Sequence, residues 1–339
     1  MAHTIHLPLM LSLTLLGICL VPSLRKLLAR PKTSDGIRRL GPYWLTAKIG
    51  QGGMGEVYRA WHTKRHQWCA VKVLPEGASV SDRVRFEQEI RLTKKLHHPN
   101  TIAIHDHGLA ADGTPYYAME LLEGATLERV VDAQGAQAPS KVIDILLQLC
   151  AALAAAHRAG LVHRDIKPDN VFLCAGRGAR ELVTLLDFGL VKQLDGSAPN
   201  QTSQCIVGTP LYLSPEAINA PDQVGPRSDL YALGAVGYFL LTGAPVFAGS
   251  NAIEVCHQHL HAVPERPSLV RGQRLDEELE RIILACLAKD PLERPASATE
   301  LATLLSRCAD RTGQACPRPN TDAWPVCPLR PTELPGLAA

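Results

Sequence analysis

Short apolar runs separated by turn residues dominate the first part of the chain. Tyr43 to Ile49, Glu56 to Trp61 and Gln67 to Leu74 have the composition of strands, and Gly or polar residues lie between them. Ser81 to Leu96 instead carries apolar residues among charges at helical spacing, and His98-Pro99 closes it. The pattern predicts a small antiparallel sheet that includes one helix.

Beyond Gly124 the apolar positions recur every three to four residues, so the second region is predicted to be mainly helical. Asp229 to Leu241 is apolar nearly all round, as in a helix buried inside a domain. Other helices are predicted from Val142, Ile145, Leu146, Leu149, Leu153 and Ala156, from Leu279, Ile282, Ile283, Cys286 and Leu287, and from Leu301, Leu304 and Leu305. From Thr312 the chain becomes Pro-rich and aperiodic, which predicts a flexible tail.

An uncharged apolar segment, Leu7 to Leu24, precedes both regions. Its length is close to that of a helix that crosses a bilayer. Lys or Arg residues follow it at positions 25, 26, 30, 32, 38 and 39, and no Lys or Arg precedes it. The positive-inside rule then places the rest of the chain in the cytoplasm, and export by a cleaved signal is disfavoured. The alternative is a segment that lies on the membrane as a peripheral anchor.

Composition narrows the range of functions. Hydrophobic residues make up 46% of the 339 residues, and the formal net charge is only +2, so nucleic acid is not an expected partner. The ten cysteines form no Cys-x-x-Cys pair, and most lie within apolar runs. We therefore expect buried free thiols, not disulfides or a zinc site.

A glycine-rich segment, Gly50-Gln51-Gly52-Gly53-Met54-Gly55, lies between the first two predicted strands. Glycine lets backbone amides approach phosphate oxygens without a Cβ in the way. A dinucleotide-binding turn would lead into a helix, whereas this chain returns to a strand at Val57. The segment is better interpreted as a glycine flap over a nucleotide.

The next residues with candidate chemistry are Lys72, on the third predicted strand, and Glu89, on the helix predicted after that strand. A lone strand lysine is usually a solvated surface charge. Paired with Glu89, however, Lys72 could hold the α and β phosphates of a nucleotide. The motifs further along the chain decide between these two interpretations.

The decisive motif is the run His163-Arg164-Asp165-Ile166-Lys167-Pro168-Asp169-Asn170, and a second motif, Asp187-Phe188-Gly189, comes after it in the chain. Phosphoryl transfer needs a carboxylate to orient the attacking hydroxyl and oxygen ligands for magnesium. This pair of motifs provides the carboxylate and the oxygen ligands at the required spacing. On these motifs the chain resembles the protein kinase superfamily, specifically the bacterial eukaryotic-like serine/threonine kinases, from about Tyr43 to Arg307.

The resemblance implies a role for each matching residue. Asp165 resembles the catalytic base, and Lys167 the residue that neutralises the γ-phosphate during transfer. Asn170 and Asp187 resemble the ligands of Mg²⁺, for which Mn²⁺ is the alternative. Lys72 with Glu89 resembles the ion pair of the active state.

The resemblance also implies an ATP site around a hinge. Met119 guards the back of the adenine pocket, and adenine bonds to the carbonyl of Glu120 and the amide of Leu122. The ring is held between Val57, Ala70 and Phe172. The full set of expected nucleotide-binding residues is Ile49, Gly50, Gln51, Gly52, Gly53, Met54, Gly55, Val57, Ala70, Lys72, Met119, Glu120, Leu122 and Phe172.

Two further segments are interpreted by resemblance. The stretch from Gly208-Thr209-Pro210 to Ser214-Pro215-Glu216 resembles the end of an activation segment. Glu216 is expected to pair with Arg294, and Asp229 to hold the backbone around Arg164. A phosphate on Thr202 or Ser203 would then pair with Arg164 and order the loop, and the alternative is that both are ordinary loop residues.

The sequence thus predicts an α+β, two-lobed protein kinase fold with a five-stranded antiparallel sheet in the small lobe. The predicted divisions are a membrane and juxtamembrane segment (1–42), a kinase domain (43–308) made of an N-lobe (43–121), a hinge (120–124) and a C-lobe (125–308), and a tail (309–339). The expected activity is transfer of the γ-phosphoryl group of ATP to Ser or Thr of proteins in signalling, including autophosphorylation.

Other functions fit less well. A pseudokinase scaffold would need a lesion in the catalytic set, and the set is complete. A small-molecule phosphotransferase would lack the peptide-binding segment that ends at Glu216. Expected partners are ATP, protein substrates and the membrane through residues 7–24, and a homodimer through the N-lobe is an expectation by analogy with bacterial relatives.

Overall fold

The computed structural model describes residues 38–52, 55–75, 77–174, 181–187, 192–193 and 210–311. The apolar segment 7–24, the glycine-loop residues Gly53 and Met54, the activation-segment residues Thr202 and Ser203 and the tail beyond residue 311 lie outside the described residues. Within the described part the predicted α+β arrangement of two lobes is confirmed.

The small lobe contains one antiparallel sheet in the order β1-β2-β3-β4-β6-β5. Its strands are β1 (Arg38–Leu40), β2 (Tyr43–Gly52), β3 (Gly55–His62), β4 (Gln67–Val73), β5 (Ile104–Leu109) and β6 (Pro115–Met119). Five strands were expected, and the sheet has six. The additional strand is β1 at the edge, which Arg38, Arg39 and Leu40 form. Leu40 anchors that strand in the core of the lobe.

Cross-strand register decides which side chains face the cleft between the lobes. Val57 lies opposite Lys72, and Lys72 lies opposite Tyr117 on the next strand. Directly opposed residues share a face of a sheet, and so do residues two apart on one strand, such as Ala70 and Lys72. The other face packs into a core that includes Leu45, Cys69 and Val71.

The only helix described in the small lobe is α1 (Val80–Thr93). Ser79 begins it with a capping box, in which its hydroxyl accepts from the amide of Asp82 and the Asp82 carboxylate bonds back. The helix ends at Thr93, before the end predicted at Leu96. Leu96 lies outside the helix and packs into the core of the large lobe.

The large lobe is mainly helical, as predicted. Its helices are α2 (Leu127–Gln134), α3 (Pro139–Arg158), α4 (Pro215–Asn219), α5 (Pro226–Thr242), α6 (Ala252–His261), α7 (Pro267–Arg271), α8 (Glu277–Cys286) and α9 (Ala298–Arg311). Short strands also form, β7 (Gly124–Thr126), β8 (Leu161–Val162), β9 (Val171–Cys174), β10 (Leu182–Leu185) and β11 (Lys192–Gln193). They carry the loops of the candidate site.

The buried helix α5 lies at the centre of this lobe, with every residue from Ser228 to Leu241 buried. Gly234 allows close packing, since a Cβ there would lie 2.5 Å from the Cβ of Cys286 on α8. α3 is the one described helix that is long and apolar enough to cross a membrane, but most of it is buried in the same core. The described cysteines are all buried, as expected from their apolar neighbours.

Candidate active site

The centre of the cleft holds a buried cation between two carboxylates. The Lys72 ammonium donates to Glu89 Oε1 at 2.8 Å and to Asp187 Oδ1 at 3.1 Å. Lys72 is placed by β4, Glu89 by α1 and Asp187 by the segment after β10, so three elements converge on one nitrogen. The pairing expected between Lys72 and Glu89 is present in the structure.

The same Glu89 oxygen accepts a second hydrogen bond, from the hydroxyl of Tyr117 at 2.7 Å. Burial raises the pKa of Glu89, and the Lys72 ammonium and the Tyr117 hydroxyl oppose that rise. Burial alone would lower the pKa of Lys72, but the two carboxylates outweigh it and hold the pKa above the ordinary value. Lys72 is therefore a stable cation in the cleft.

Asp165 lies in the loop between β8 and β9, where two side chains fix its carboxylate. Lys167 donates to Oδ1 and Oδ2 at 3.0 and 2.8 Å. The amide of Asn170 donates to Oδ2 and to the backbone carbonyl of Asp165, both at 2.8 Å. Because the amide nitrogen is used in this way, the Asn170 Oδ1 atom is the one left to ligate a cation.

Asp229, in the first turn of α5, holds the backbone of the loop that contains Asp165. Its carboxylate accepts from the backbone amides of His163 and Arg164, both at 2.9 Å, and lies 2.8 Å from Nε2 of His157. The predicted contact of Asp229 with this backbone is present. Arg164 and Asp187 have positive φ angles of 70° and 50°, a backbone conformation that needs such outside support.

The described residues of the glycine-rich segment belong to the end of β2 and the beginning of β3. Gly50 pairs with Val57 across the strands. Gly55 has φ 143°, and a Cβ there would lie 2.6 Å from the carbonyl oxygen of Val73, so only glycine fits. Ile49 and Gln51 are exposed near the end of β2, where their positions agree with a cover over the cleft.

Two residues predicted to line an adenine pocket, Ala70 and Met119, lie further along the same sheet face. Ala70 pairs with Met119, which packs against the cluster that α1 forms with β6. Glu120 ties the hinge to the chain before β5, since its amide donates to the Ala103 carbonyl at 3.2 Å and its side chain accepts from the Ala103 amide at 3.0 Å. Leu122 and Phe172 are half-buried on the large-lobe side.

Glu216 and Arg294 form the predicted ion pair beneath this region. The guanidinium donates to both carboxylate oxygens at 2.7 and 2.8 Å, and also to three backbone carbonyls. Burial alone would raise the pKa of Glu216, but Arg294 and the Ser228 hydroxyl hold it below the usual value. The pair fixes α4, which follows Ser214, to the helices of the large lobe.

Sequence reasoning missed two contributors to the site. Tyr117 was not singled out because an aromatic residue in a strand is usually a core residue, and its spacing gave no sign of a carboxylate partner. Gly124 was assigned only to the end of the hinge, yet a Cβ there would lie 2.0 Å from the Leu173 carbonyl oxygen. The β7–β9 pairing that causes this approach is not visible in the sequence.

Comparison with known proteins agrees with this geometry. The family model named protein kinase domain matches residues 43–304. The serine/threonine-protein kinase PknB of Mycobacterium leprae is 36% identical over 292 residues, which is 85% of this chain and 46% of that protein. PknB of Mycobacterium tuberculosis is 36% identical over 288 residues, covering 83% of this chain and 45% of that protein.

A further relative, the serine/threonine-protein kinase pkn3 of Myxococcus xanthus, is 37% identical over 262 residues, or 76% of this chain and 48% of that protein. The chain therefore spans about half the length of the curated relatives it matches. The matched region contains both lobes and all the residues placed in the cleft above. The chain belongs to the protein kinase domain family, and over that domain it resembles bacterial serine/threonine-protein kinases.

Proposed function

We propose that this chain is an active serine/threonine protein kinase that transfers the γ-phosphoryl group of ATP to Ser or Thr hydroxyls of proteins, itself included. The observation that carries the proposal is the convergence of Glu89 and Asp187 on the Lys72 ammonium, together with the fixed carboxylate of Asp165. Family membership implies ATP and a divalent metal ion as the reagents.

The chemistry follows from charge and position. Lys72 is a buried cation suited to the α and β phosphates, and Glu89 fixes its place. Asp165 accepts or orients the proton of the attacking hydroxyl. Lys167, bound to both of its oxygens, would neutralise the charge that develops on the γ-phosphoryl group. Catalysis then comes from positioning and charge neutralisation.

Asn170 and Asp187 would hold the metal. Within the described residues no three His, Cys, Asp or Glu side chains form a metal cluster. A carboxylate and an amide oxygen, completed by phosphate oxygens and water, nevertheless match the preference of Mg²⁺ for oxygen ligands and few protein contacts. We propose Mg²⁺, and Mn²⁺, which takes the same oxygen ligands, is the alternative. A bound metal neutralises phosphate charge and orients the transferred group.

We also propose that a phosphate on Thr202 or Ser203 activates the kinase by binding Arg164. Support comes from the Arg164 side chain, which is half-buried and whose Nε has no hydrogen-bond partner among the described residues. A phosphate would supply the missing acceptors. Replacing Thr202 and Ser203 together by Ala should then lower the activity that develops on preincubation with ATP, and full activity in that variant would remove this part of the proposal.

For localisation we propose a single-pass anchor at residues 7–24 with the kinase domain in the cytoplasm. The support is the length of the apolar segment and the basic residues that follow it. Peripheral association remains the alternative form of attachment. A homodimer through the N-lobe is part of the proposal by analogy alone, and sedimentation of the purified chain tests it.

The test of the main proposal uses the full chain with γ-labelled ATP, Mg²⁺ and matched peptides that carry Ser, Thr or Tyr as the single acceptor. We expect label on the Ser and Thr peptides and on the chain itself, and none with Asp187→Asn. The competing function is a nucleotide-binding scaffold. Tight ATP binding without transfer to any acceptor would favour the scaffold and contradict the kinase.

A further inference from the structure

Charge is divided unevenly along this nearly neutral chain. The part from Met1 to Pro75 contains eleven Lys or Arg and only two acidic residues, Asp35 and Glu56, which gives +9, although the whole chain carries +2. The remainder is therefore acidic overall. No acidic residue occurs between Val57 and Pro75, a segment that contains β4, the turn before it and all of β3 after Glu56. A uniform field of this sign favours an anionic surface.

The hairpin tip presents this charge to solvent. Lys64, Arg65 and His66 are all exposed, and among the described residues neither Lys64 nor Arg65 forms an ion pair with a carboxylate. Asp106, the carboxylate whose charge acts on the neighbouring His62, accepts from the Tyr43 hydroxyl at 2.9 Å. The two cations of the tip therefore lack a direct carboxylate partner among the described residues.

The backbone of the tip is fixed, not loose. The buried His62 accepts from the amides of Lys64 and Arg65 through Nδ1 at 3.2 and 3.1 Å. Burial lowers the pKa of His62, so the ring stays a neutral acceptor. Trp61 packs edge-on against Trp68 across the strands, with ring centroids 5.2 Å apart. The two cations are therefore held outward on a rigid turn.

The tip lies at the place where the chain enters the fold. Thr63 donates to the Pro42 carbonyl through both its amide and its hydroxyl, each at 2.9 Å, which joins the hairpin to the turn between β1 and β2. Arg39, on β1, bonds to Gly41 in that same turn. The apolar segment ends at Leu24, and the connection from there to Arg38 reaches at most about 50 Å even when fully extended.

From these observations we infer that the β3–β4 hairpin tip, with Lys64 and Arg65 as its cations, is a docking surface for the anionic lipid face of the membrane. This inference rests on the proposed membrane attachment of residues 7–24. The short connection keeps the tip at high effective concentration near the bilayer, so a weak charge attraction is sufficient. Because β3 spans about 25 Å, Gly55 at its other end stays clear of the surface.

The test measures acetylation of lysines by mass spectrometry in the full chain, reconstituted into vesicles of phosphatidylcholine alone or mixed with phosphatidylserine. We expect the acetylation rate of Lys64 to be at least about fivefold lower on the vesicles with phosphatidylserine than on those without it. High salt, which screens charge, should restore the rate. Lys141, in the large lobe beside Glu181, serves as the internal reference. Equal reactivity of Lys64 on both vesicles would overturn the inference.

Matched charge reversals make the test specific. Arg65→Glu should remove most of the protection of Lys64, whereas Arg91→Glu, the same change on an exposed position of α1, should leave it intact. An equal effect of both would show that bulk charge acts and not the hairpin, which contradicts the inference. Two further measurements test the proposals on which this inference rests. Transfer of phosphate to a soluble peptide in detergent reports on the kinase activity. Retention of the chain on neutral vesicles after a salt wash reports on the anchor at residues 7–24.

Discussion

The hydroxyl of Tyr117 offers a direct probe of the buried ion pair. It donates to Glu89 Oε1 at 2.7 Å, and that same oxygen accepts from Lys72 at 2.8 Å. The other Glu89 oxygen has no hydrogen-bond partner among the described residues. Replacement of Tyr117 by Phe therefore leaves a buried carboxylate with a single donor, while the ring that packs on Phe86 is kept.

The magnitude depends on the charge of the acceptor. A hydrogen bond to a charged group contributes about 1.5–3 kcal/mol, so the free energy of unfolding should fall by about 2 kcal/mol. If the lost hydrogen bond stabilises only the conformation in which Lys72 and Glu89 are paired, a loss of about 2 kcal/mol lowers the population of that conformation by a factor of about 30. We expect kcat/KM for ATP to fall by about three- to thirtyfold, depending on how far the pair is already favoured.

The pH profile should change as well. Burial raises the pKa of Glu89, and the Tyr117 hydroxyl is one of the contacts that lower it. Without that hydroxyl the pKa rises further, and protonation of Glu89 breaks the pair with Lys72. The acidic limb of kcat/KM against pH should therefore move to higher pH in Tyr117→Phe.

Tyr43→Phe is the matched control, because Tyr43 is a buried tyrosine of the same lobe whose hydroxyl also bonds to a carboxylate, that of Asp106. Denaturant unfolding and steady-state kinetics are measured on both variants. Both should lose stability, and only Tyr117→Phe should lose kcat/KM and shift its acidic limb. Equal kinetic effects in the two variants, or an unchanged profile in Tyr117→Phe, would refute the reasoning.

Three further predictions concern the structural supports and the metal. Arg294→Met should destabilise the fold by about 3–5 kcal/mol, because it leaves the buried Glu216 carboxylate unpaired, and adding Glu216→Leu should restore part of the loss in urea unfolding. The pKa of Glu216 is lowered in the folded chain, so its contribution to stability is present above the usual carboxyl pKa. That contribution is lost as the pH falls through the pKa of the folded chain. This pH dependence of stability should be weaker in Arg294→Met. Gly124→Ala should reduce the melting temperature and weaken ATP binding, because its Cβ would lie 2.0 Å from the Leu173 carbonyl oxygen; unchanged calorimetry would contradict the packing described. Removal of divalent metal by a chelator should abolish transfer, and added Mg²⁺ should restore it; transfer that persists in excess chelator would contradict the metal's role.

The sequence predicted the parts of the fold that local pattern controls. The three strands that begin at Tyr43, at Gly55 and at Gln67 lie close to the runs predicted from apolar and turn residues, because the sheet has one buried face. The central helix was predicted from its continuous apolar stretch. Spacing could not predict β1, since its two arginines are solvated and only Leu40 is buried.

Much of the site could be found because motif residues lie close together in the chain. Asp165, Lys167 and Asn170 contact one another within a single loop. Contacts that join distant segments, such as Tyr117 with Glu89, depend on the register of β6 against β4. That register follows from tertiary packing, so no spacing rule could have placed the hydroxyl on the carboxylate.

The central claim is that Asp165 orients the hydroxyl in an active phosphotransferase, and single-turnover transfer from ATP to a Thr peptide tests it most directly. The comparison is between the full chain and Asp165→Asn, with nucleotide affinity measured on both. We predict that Asp165→Asn binds ATP like the natural chain and transfers phosphate about 10²–10⁴-fold more slowly. Transfer by Asp165→Asn within a few fold of the natural chain, or no transfer by either despite ATP binding, would contradict the claim.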